Sequence, residues 1–485
     1  MKHFFADSAI FLFAYLVAFL LRFDFCAPRW GWTPVLLGAI PAITIGWAAL
    51  FIFGCSRLRW NLISLQEMRR FVLACLFMVG MQLLLRLILN EDAYIYFRPP
   101  MSVAIIAGAF TLLGLLSLRY LSRIQLRPIE VADLLGRDES EIHTVAVQNG
   151  FRDKTVFVTG AGGSIGSELA RQIFRARPKR LILFDVSEAA LYTIHLALSE
   201  CVAEVEPAEL VPIVGDCGDR ELMRAVLTRE RPDFLLHAAA YKHVPMMECN
   251  PIAAIANNAL ATRTLAEEAQ RAGVGTFVLI STDKAIRPRS AMGISKRLAE
   301  LFVRDLAEKK TTRFCAVRFG NVLGSSGSVV PRFREQIAKG GPVTVTDVRM
   351  ERYFMTIAEA SGLVLQAATF AKGGEIFVLN MGQPMTILAL AETMIRLSGL
   401  RPHKDIPIVF SGIRPGEKLS EELGIAAAHA EQTEHARIFV GHIQQLAHEN
   451  VARLLARCEA FVTDPTFNLT AETLRTLLNE EGEPS

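Results

Sequence analysis

Four apolar runs fill the first quarter of the chain, at roughly residues 4–21, 34–54, 71–89 and 101–118. As helices, the second to fourth are each long enough to cross about 30 Å of hydrocarbon at about 1.5 Å per residue. Asp7 shortens the first to a clean run of 8–21, which leaves open a re-entrant segment or an incomplete chain start. A signal peptide is disfavoured, because no small-residue cleavage site follows and further spans do. Basic residues set the expected orientation. Arg57, Arg59, Arg69 and Arg70 follow the second run, and Arg119, Arg123 and Arg127 follow the fourth; the other two flanks hold Arg22, Arg29 and Arg98. The N-terminus and everything after residue 118 are therefore expected on the cytoplasmic side. Arg86, near the outer end of the third run, can snorkel outward.

The apolar runs account for a mean hydropathy of +0.31, high for a soluble protein. The rest of the chain is ordinary: the net charge is +3, which gives no electrostatic footprint for nucleic acid. Eight scattered cysteines (Cys26, Cys55, Cys75, Cys201, Cys217, Cys249, Cys315 and Cys458) form no CxxC and no Cys/His ligand spacing. That pattern indicates a reducing compartment and no metal site. Residues 123–150, with a charge run at 137–141, read as a polar connector.

From Lys154 the period changes. Residues 155–159 (TVFVT) read as a strand, Gly160-Ala-Gly-Gly163-Ser164-Ile165-Gly166 as a tight loop, 167–176 as a helix, and 181–184 as a second strand ending at Asp185. Glycines let the backbone turn and approach a pyrophosphate, whose charge meets a helix N-terminus. An acid about 20 residues beyond can bind ribose hydroxyls. The GxxGxxG spacing favours the short-chain dehydrogenase/reductase variety of this dinucleotide site. The alternation continues with a strand at 211–214 ending near Asp216, placed to meet an adenine amino group. A helix at 220–229 leads to a strand at 234–237 followed by the small residues Ala238, Ala239 and Ala240. His243 reads as a loop histidine. A single long helix over 248–271 carries Asn257 and Asn258, and a buried Asn needs a partner.

The strand at 277–280 ends in Thr282, Asp283 and Lys284, where open α/β sheets bind ligands. A helix follows, opening with Met292 and carrying Lys296, and a sixth strand occupies 314–319. Beyond it, the loop from Gly320 through Asn321 and Val322 to Pro331 is rich in glycine and serine, and Arg318, Arg332 and Arg334 lie near it. Ile413–Lys418 places Arg414 in a turn. Backbone N–H groups and arginine forks both bind phosphate, so two such loops point to a second phosphorylated ligand. The fold class expected is α/β. It is a Rossmann-type doubly wound parallel sheet with a small C-terminal substrate subdomain, preceded by a four-helix transmembrane region. The expected divisions are 1–122, 123–150, 151–430 and a helical tail, 431–485.

The stretches TGAGGSIGSELARQI, HAAAYKHVPMME, STDKAIRP, MGISK, RFGNVLGSSGSVVPRF and RPGEK together closely resemble the nucleotide-sugar 4,6-dehydratases of the extended short-chain dehydrogenase/reductase group. The likeness is nearest to their large membrane-anchored branch acting on UDP-N-acetylglucosamine. It implies NAD or NADP as cofactor, a UDP-sugar substrate, a homo-oligomer, and a place in the cytoplasmic membrane of a bacterium, with the catalytic half facing the cytoplasm. Where most short-chain dehydrogenases carry the tyrosine of Tyr-x-x-x-Lys, this chain has Met292, with Lys296 retained; that departure is itself a mark of the membrane-bound branch.

The resemblance implies oxidation at sugar C4, which acidifies the C5 hydrogen. Lys284 then acts as base at C5, Asp283 as acid at O6, and hydride returns to C6. Thr282 is placed at the sugar O4, Lys296 on the nicotinamide ribose, and Lys242, Asn321, Val322, Arg332 and Arg414 on the nucleotide sugar. A thioether does no acid–base work, so the acceptor of the O4 proton is open, with Thr282 relaying to water or to Asp283 as one route. Two other readings remain: a UDP-sugar 4-epimerase, disfavoured by the missing tyrosine, and a non-catalytic membrane-anchored nucleotide-sugar-binding scaffold.

Overall fold

The computed structural model describes residues 2–25, 33–55, 65–88, 99–124, 145–200, 208–308, 311–423, 430–441, 446–464 and 469–481. Most of the connector, including its charge run, lies outside them, as do Arg29, Arg57, Arg59, Arg98 and Arg127. The described residues fall into two compact units, one over residues 1–128 with 338–340, the other over the remainder.

In the first unit the apolar runs form helices α1 (Lys2–Arg22), α2 (Thr33–Ile52), α3 (Leu65–Ile88) and α4 (Met101–Ile124). All four are long and apolar enough to cross a membrane. α1 packs on α2 and α4, and α3 packs on α2 and α4. Phe11, Phe71 and Leu115 are buried between them, as are Tyr15, Phe19 and Val103. α1 runs unbroken through Asp7, which is buried inside the unit. Arg69 and Arg70 sit on the first turns of α3 rather than in a loop, because Leu65 already starts the helix. Arg86 Nη1 donates to the Pro99 carbonyl at 2.8 Å, joining α3 to the residues just before α4.

The second unit is built on strands β1 (Thr155–Thr159), β2 (Arg180–Asp185), β3 (Glu209–Val214), β4 (Phe234–His237), β5 (Thr276–Ile280) and β6 (Arg313–Arg318). They lie in the spatial order β3-β2-β1-β4-β5-β6, all parallel, and the strand Ile376–Leu379 extends the sheet in parallel beyond β6. Alternate side chains feed opposite layers. Val156, Val158, Leu181 and Leu183 enter one core with Leu169, Ile173 and Leu363. Phe157, Ile182 and Phe184 enter the other with Leu265, Phe277 and Phe314. With both faces buried, β1, β2, β4, β5 and β6 are near-continuous apolar runs, as buried parallel strands require, whereas β3 is more exposed. The strand order reverses between β1 and β4, the topological switch point where this architecture opens a crevice.

Two expectations from the sequence change. The single helix over 248–271 is a broken one: short helices Val244–Glu248 and Pro251–Ala254, a π-helical turn Ile255–Leu260, then Ala261–Ala272. The wide turn holds Asn258, whose Oδ1 accepts from Tyr241 N (2.8 Å) and whose Nδ2 donates to Tyr241 O (2.9 Å) and Ser295 Oγ (3.0 Å). The buried Asn has its partners, and the helix is deformed to supply them. The region after 430 is also more than a helical tail. Ile438–Gly441 pairs antiparallel with Ile376–Leu379, and Ala430–Gln432 pairs with it in turn. Helices His448–Thr463 and Ala471–Glu480 then bury Leu454, Cys458 and Leu474 against Leu298 and Phe302. A smaller cluster of Leu323, Phe333, Val343, Leu390 and Ile395 forms the subdomain expected after residue 320.

Candidate active site

A cavity of about 770 Å³ lies in the second unit. It is lined by Gly163, Ser164, Ile165, Gly166, Ala238 and Ala240 of the glycine loop and the end of β4, and by Thr282, Lys284, Met292, Lys296, Asn321, Val322, Arg414, Lys418 and Glu421. Lys242 and His243 line it as well.

The glycine loop is shaped by close approach. Gly160 has φ +63°, and a Cβ there would stand 2.6 Å from Ala239 N. A Cβ on Gly166 would meet the Gly160 carbonyl at 2.0 Å. Only glycine lets β4 and the helix Ser164–Arg175 press against the turn in this way. Gly160 and Ala239 thus build the loop without lining the cavity. Asp185, at the end of β2, accepts from Gly162 N and Ser187 N, each at 2.9 Å, so its carboxylate braces the loop. Asp216 is exposed beyond β3 and accepts from Gly218 N at 2.7 Å. Neither acid lines the main cavity. A helix N-terminus, small residues at the end of β4 and Lys296 line a cavity that fits NAD or NADP. Lys296 is buried, and burial pushes its amine down to about 8, opposed by the charge of Glu300.

β5 delivers the reactive group. Past its end, Ser281 N donates to Val317 O (2.8 Å) and Asp283 N to Phe319 O (3.1 Å), so the ladder to β6 continues and fixes the backbone under Asp283. Thr282 caps the short turn Asp283–Ala285. Its hydroxyl donates to Asp283 Oδ1 at 2.8 Å, and Lys284 Nζ donates to the same oxygen at 2.9 Å. Lys284 Nζ also donates to Asn321 Oδ1 at 3.0 Å. Asp283 itself is 1% exposed and does not line the cavity. Its hydrogen bonds link it to the cavity through Thr282 and Lys284, one step behind the position expected for a direct acid. Its Oδ2 is buried without a hydrogen bond among the described residues. Met292 and Lys296 lie one helical turn apart on the helix Ala291–Ala307, which Ser290 caps through Gly293 N, so both face the same way.

Asn321, expected on the substrate, lines the cavity, and its Oδ1 accepts from Lys284 Nζ. Arg332 is exposed on the helix Val329–Ala338, whose Val330 and Phe333 turn into the subdomain core, and it stays off the cavity. Arg414 reaches the cavity with its guanidinium bound to Glu417.

Sequence reasoning missed three residues. Glu421 lies with one oxygen 3.7 Å from Lys284 Nζ and 3.9 Å from Arg352 Nη2. Burial raises its pKa, Lys284 opposes, and Asp283 adds to the rise. Arg352 is buried and donates to the carbonyls of Lys418, Glu351 and Leu419, tying the 418–421 segment to the subdomain. Glu300 is buried under β5 and β6. Arg318 donates to both its oxygens (2.7 and 2.5 Å), Ser281 Oγ adds a bond at 2.6 Å and Arg297 another at 3.2 Å. No local pattern marked these carboxylates, since a Glu among charged neighbours reads as surface.

Residues 156–443, more than half of the chain, match the family described as polysaccharide biosynthesis protein. The chain belongs to that family. Among curated relatives of this chain, the capsular polysaccharide biosynthesis protein CapD of Staphylococcus aureus is 52% identical over 299 residues, 61% of this chain and 49% of the relative. The chain thus spans about half the length of that relative. A UDP-N-acetylglucosamine 4,6-dehydratase (inverting) of Campylobacter jejuni is 33% identical over 56% of this chain and 77% of its own. Among solved structures, Pen from Bacillus thuringiensis is 29% identical, with a TM-score of 0.54 over 68% of this chain and 99% of that one.

Proposed function

We propose that this chain is a membrane-bound UDP-N-acetylglucosamine 4,6-dehydratase that makes a UDP-4-keto-6-deoxy-N-acetylhexosamine for polysaccharide or glycan synthesis. The observation that carries the reading is the hydrogen-bonded set Thr282, Asp283 and Lys284, of which Thr282 and Lys284 line a cavity that the glycine loop also lines. The family match and the 33% identity to a dehydratase of that specificity support it. A bound nicotinamide supplies the hydride acceptor at C4 and the donor at C6.

The chain's residues handle the protons. Thr282 accepts the O4 proton while passing its own to Asp283 Oδ1, so no tyrosine is needed at Met292. With the ketone formed, the C5 hydrogen is acidic and Lys284 removes it as a free amine. Asp283 returns its proton through Thr282 to the departing O6 as water leaves. The O4 proton therefore ends in the released water, and Lys284 is restored when C5 is reprotonated. Lys296 holds the nicotinamide ribose, and Arg414 with the 320–331 loop holds the diphosphate.

The test is to incubate the full chain in detergent with UDP-N-acetylglucosamine and NAD+ or NADP+, and to read the product by mass and NMR. Loss of water with a 4-keto signal is expected. Inversion at C4 without mass change indicates the epimerase, and no turnover the scaffold. Asp283→Asn should lower turnover by about 10³-fold or more while cofactor affinity stays within about twofold, because it removes proton transfer and leaves the loop intact.

A further inference from the structure

The proposed chemistry makes two demands that Asp283 and Lys284 cannot both meet alone. Lys284 must be a free amine, so its ammonium proton has to rest elsewhere. Asp283 must at the same time be ionised, to receive the O4 proton from Thr282. One carboxylate cannot hold both protons. The geometry around Lys284 points to a second. A neutral amine has two N–H donors and one lone pair, and Nζ has two acceptors within hydrogen-bond distance, Asp283 Oδ1 and Asn321 Oδ1. The third neighbour is Glu421 Oε1 at 3.7 Å, too far to accept a hydrogen bond from an ammonium as the site stands. Among the described residues neither Glu421 oxygen accepts a hydrogen bond, and Oε2 is fully buried.

We propose that Glu421 holds the proton that Lys284 must give up, so that Lys284 stands as an amine while Asp283 stays ionised. The exchange is balanced: one proton leaves Nζ and one is taken up by a Glu421 carboxylate oxygen through the cavity that both groups line, the ammonium and carboxylate charges cancel, and no redox partner is involved. Glu421 acts through Lys284 and is a positioning residue. The groups facing it are Lys284 and Asp283 from the turn after β5, Arg352 from the subdomain, and Lys418 from its own segment. Burial favours its neutral form, and a neutral Glu421 leaves Arg352 with the three carbonyls that already satisfy it. This inference rests on the dehydratase reading.

Its test is the pH profile of kcat for the full chain. In the wild type the proton moves inside the site, so kcat should be flat across neutral pH. In Glu421→Gln the amine forms only by losing a proton to solvent, so kcat should fall at neutral pH and rise roughly tenfold per pH unit towards alkaline pH. Glu421→Asp should restore a flat profile at a reduced rate. The infrared spectrum at neutral pH should carry a protonated-carboxyl stretch that Glu421→Gln removes. A Glu421→Gln profile that keeps the wild-type shape, merely lowered, overturns the inference, as does the lack of that stretch in the wild type. Failure of the wild type to dehydrate UDP-N-acetylglucosamine sinks the dehydratase reading instead, and the infrared comparison still decides where the proton rests.

Discussion

Two buried carboxylates, both absent from the sequence reading, lie in the second unit and are treated in opposite ways. Glu300 is wrapped by Arg318, Arg297 and Ser281, and the charge and hydrogen bonds of Arg318 outweigh burial to hold its pKa below the ordinary carboxylate range. Glu421 lines the cavity, accepts no hydrogen bond among the described residues, and has its pKa raised by burial. A buried carboxylate with paired donors is a fixed charge, whereas one left short of donors is ready to bind a proton. The difference separates framework from chemistry. Glu300 holds Ser281 at the end of β5, and Glu421 stands beside Lys284, where the proposed mechanism moves protons. The contacts of two aspartates differ in a like way: Asp185 accepts on both oxygens, from Gly162 N and Ser187 N, whereas Asp283 Oδ2 accepts no hydrogen bond among the described residues.

The strongest way to break this comparison is to remove the framework carboxylate. Glu300→Ala leaves Arg318 and Arg297 buried without their counter-charge and should cost about 3–5 kcal/mol, read as a large fall in thermal midpoint. A small loss of stability there, or a loss of proton handling without a loss of stability, would erase the distinction.

A smaller effect sharpens it. His237 is wholly buried between two threonines, with Nδ1 and Nε2 each 2.8 Å from a hydroxyl. Thr262 already spends its proton on Asn258 O, so the imidazole donates from Nε2 and accepts at Nδ1, and is neutral. Burial lowers its pKa to about 3 from 6.5, with Lys296 contributing. Between those values the unfolded chain binds a proton that the folded one does not. Stability should therefore fall as pH drops below about 6.5, by about 1.4 kcal/mol per pH unit from this residue. Unfolding midpoints against pH for the wild type and His237→Gln should differ in slope by about one proton.

The smallest effect concerns the arginines. Arg414→Ala should raise KM for the UDP-sugar about tenfold or more, the loss of a charge-assisted grip on phosphate. Arg332→Ala, on an exposed helix face, should change KM less than about twofold and stability by less than about 0.5 kcal/mol. Equal effects from the two would mean that the diphosphate lies along the Val329–Ala338 helix instead.

The sequence by itself determined whatever is decided within a few residues. Apolar runs long enough for a bilayer became α1–α4. The TVFVT strand, its glycine loop and the helix after it formed where the period of apolar residues and the need for tight turns required them. The acid, amine and hydroxyl after β5 came together because they are consecutive. Arg332 shows the limit, since nearness in sequence to a phosphate-competent loop did not say which helix face it would take. Only the tertiary structure decided which distant charges became neighbours. Glu421 meets Lys284, and Ile438–Gly441 joins the sheet edge, through segments far apart in the chain. The physical reason is that charge and burial depend on everything packed around a group. A glutamate in a polar stretch carries no mark of whether folding will surround it with arginines or leave it short of donors.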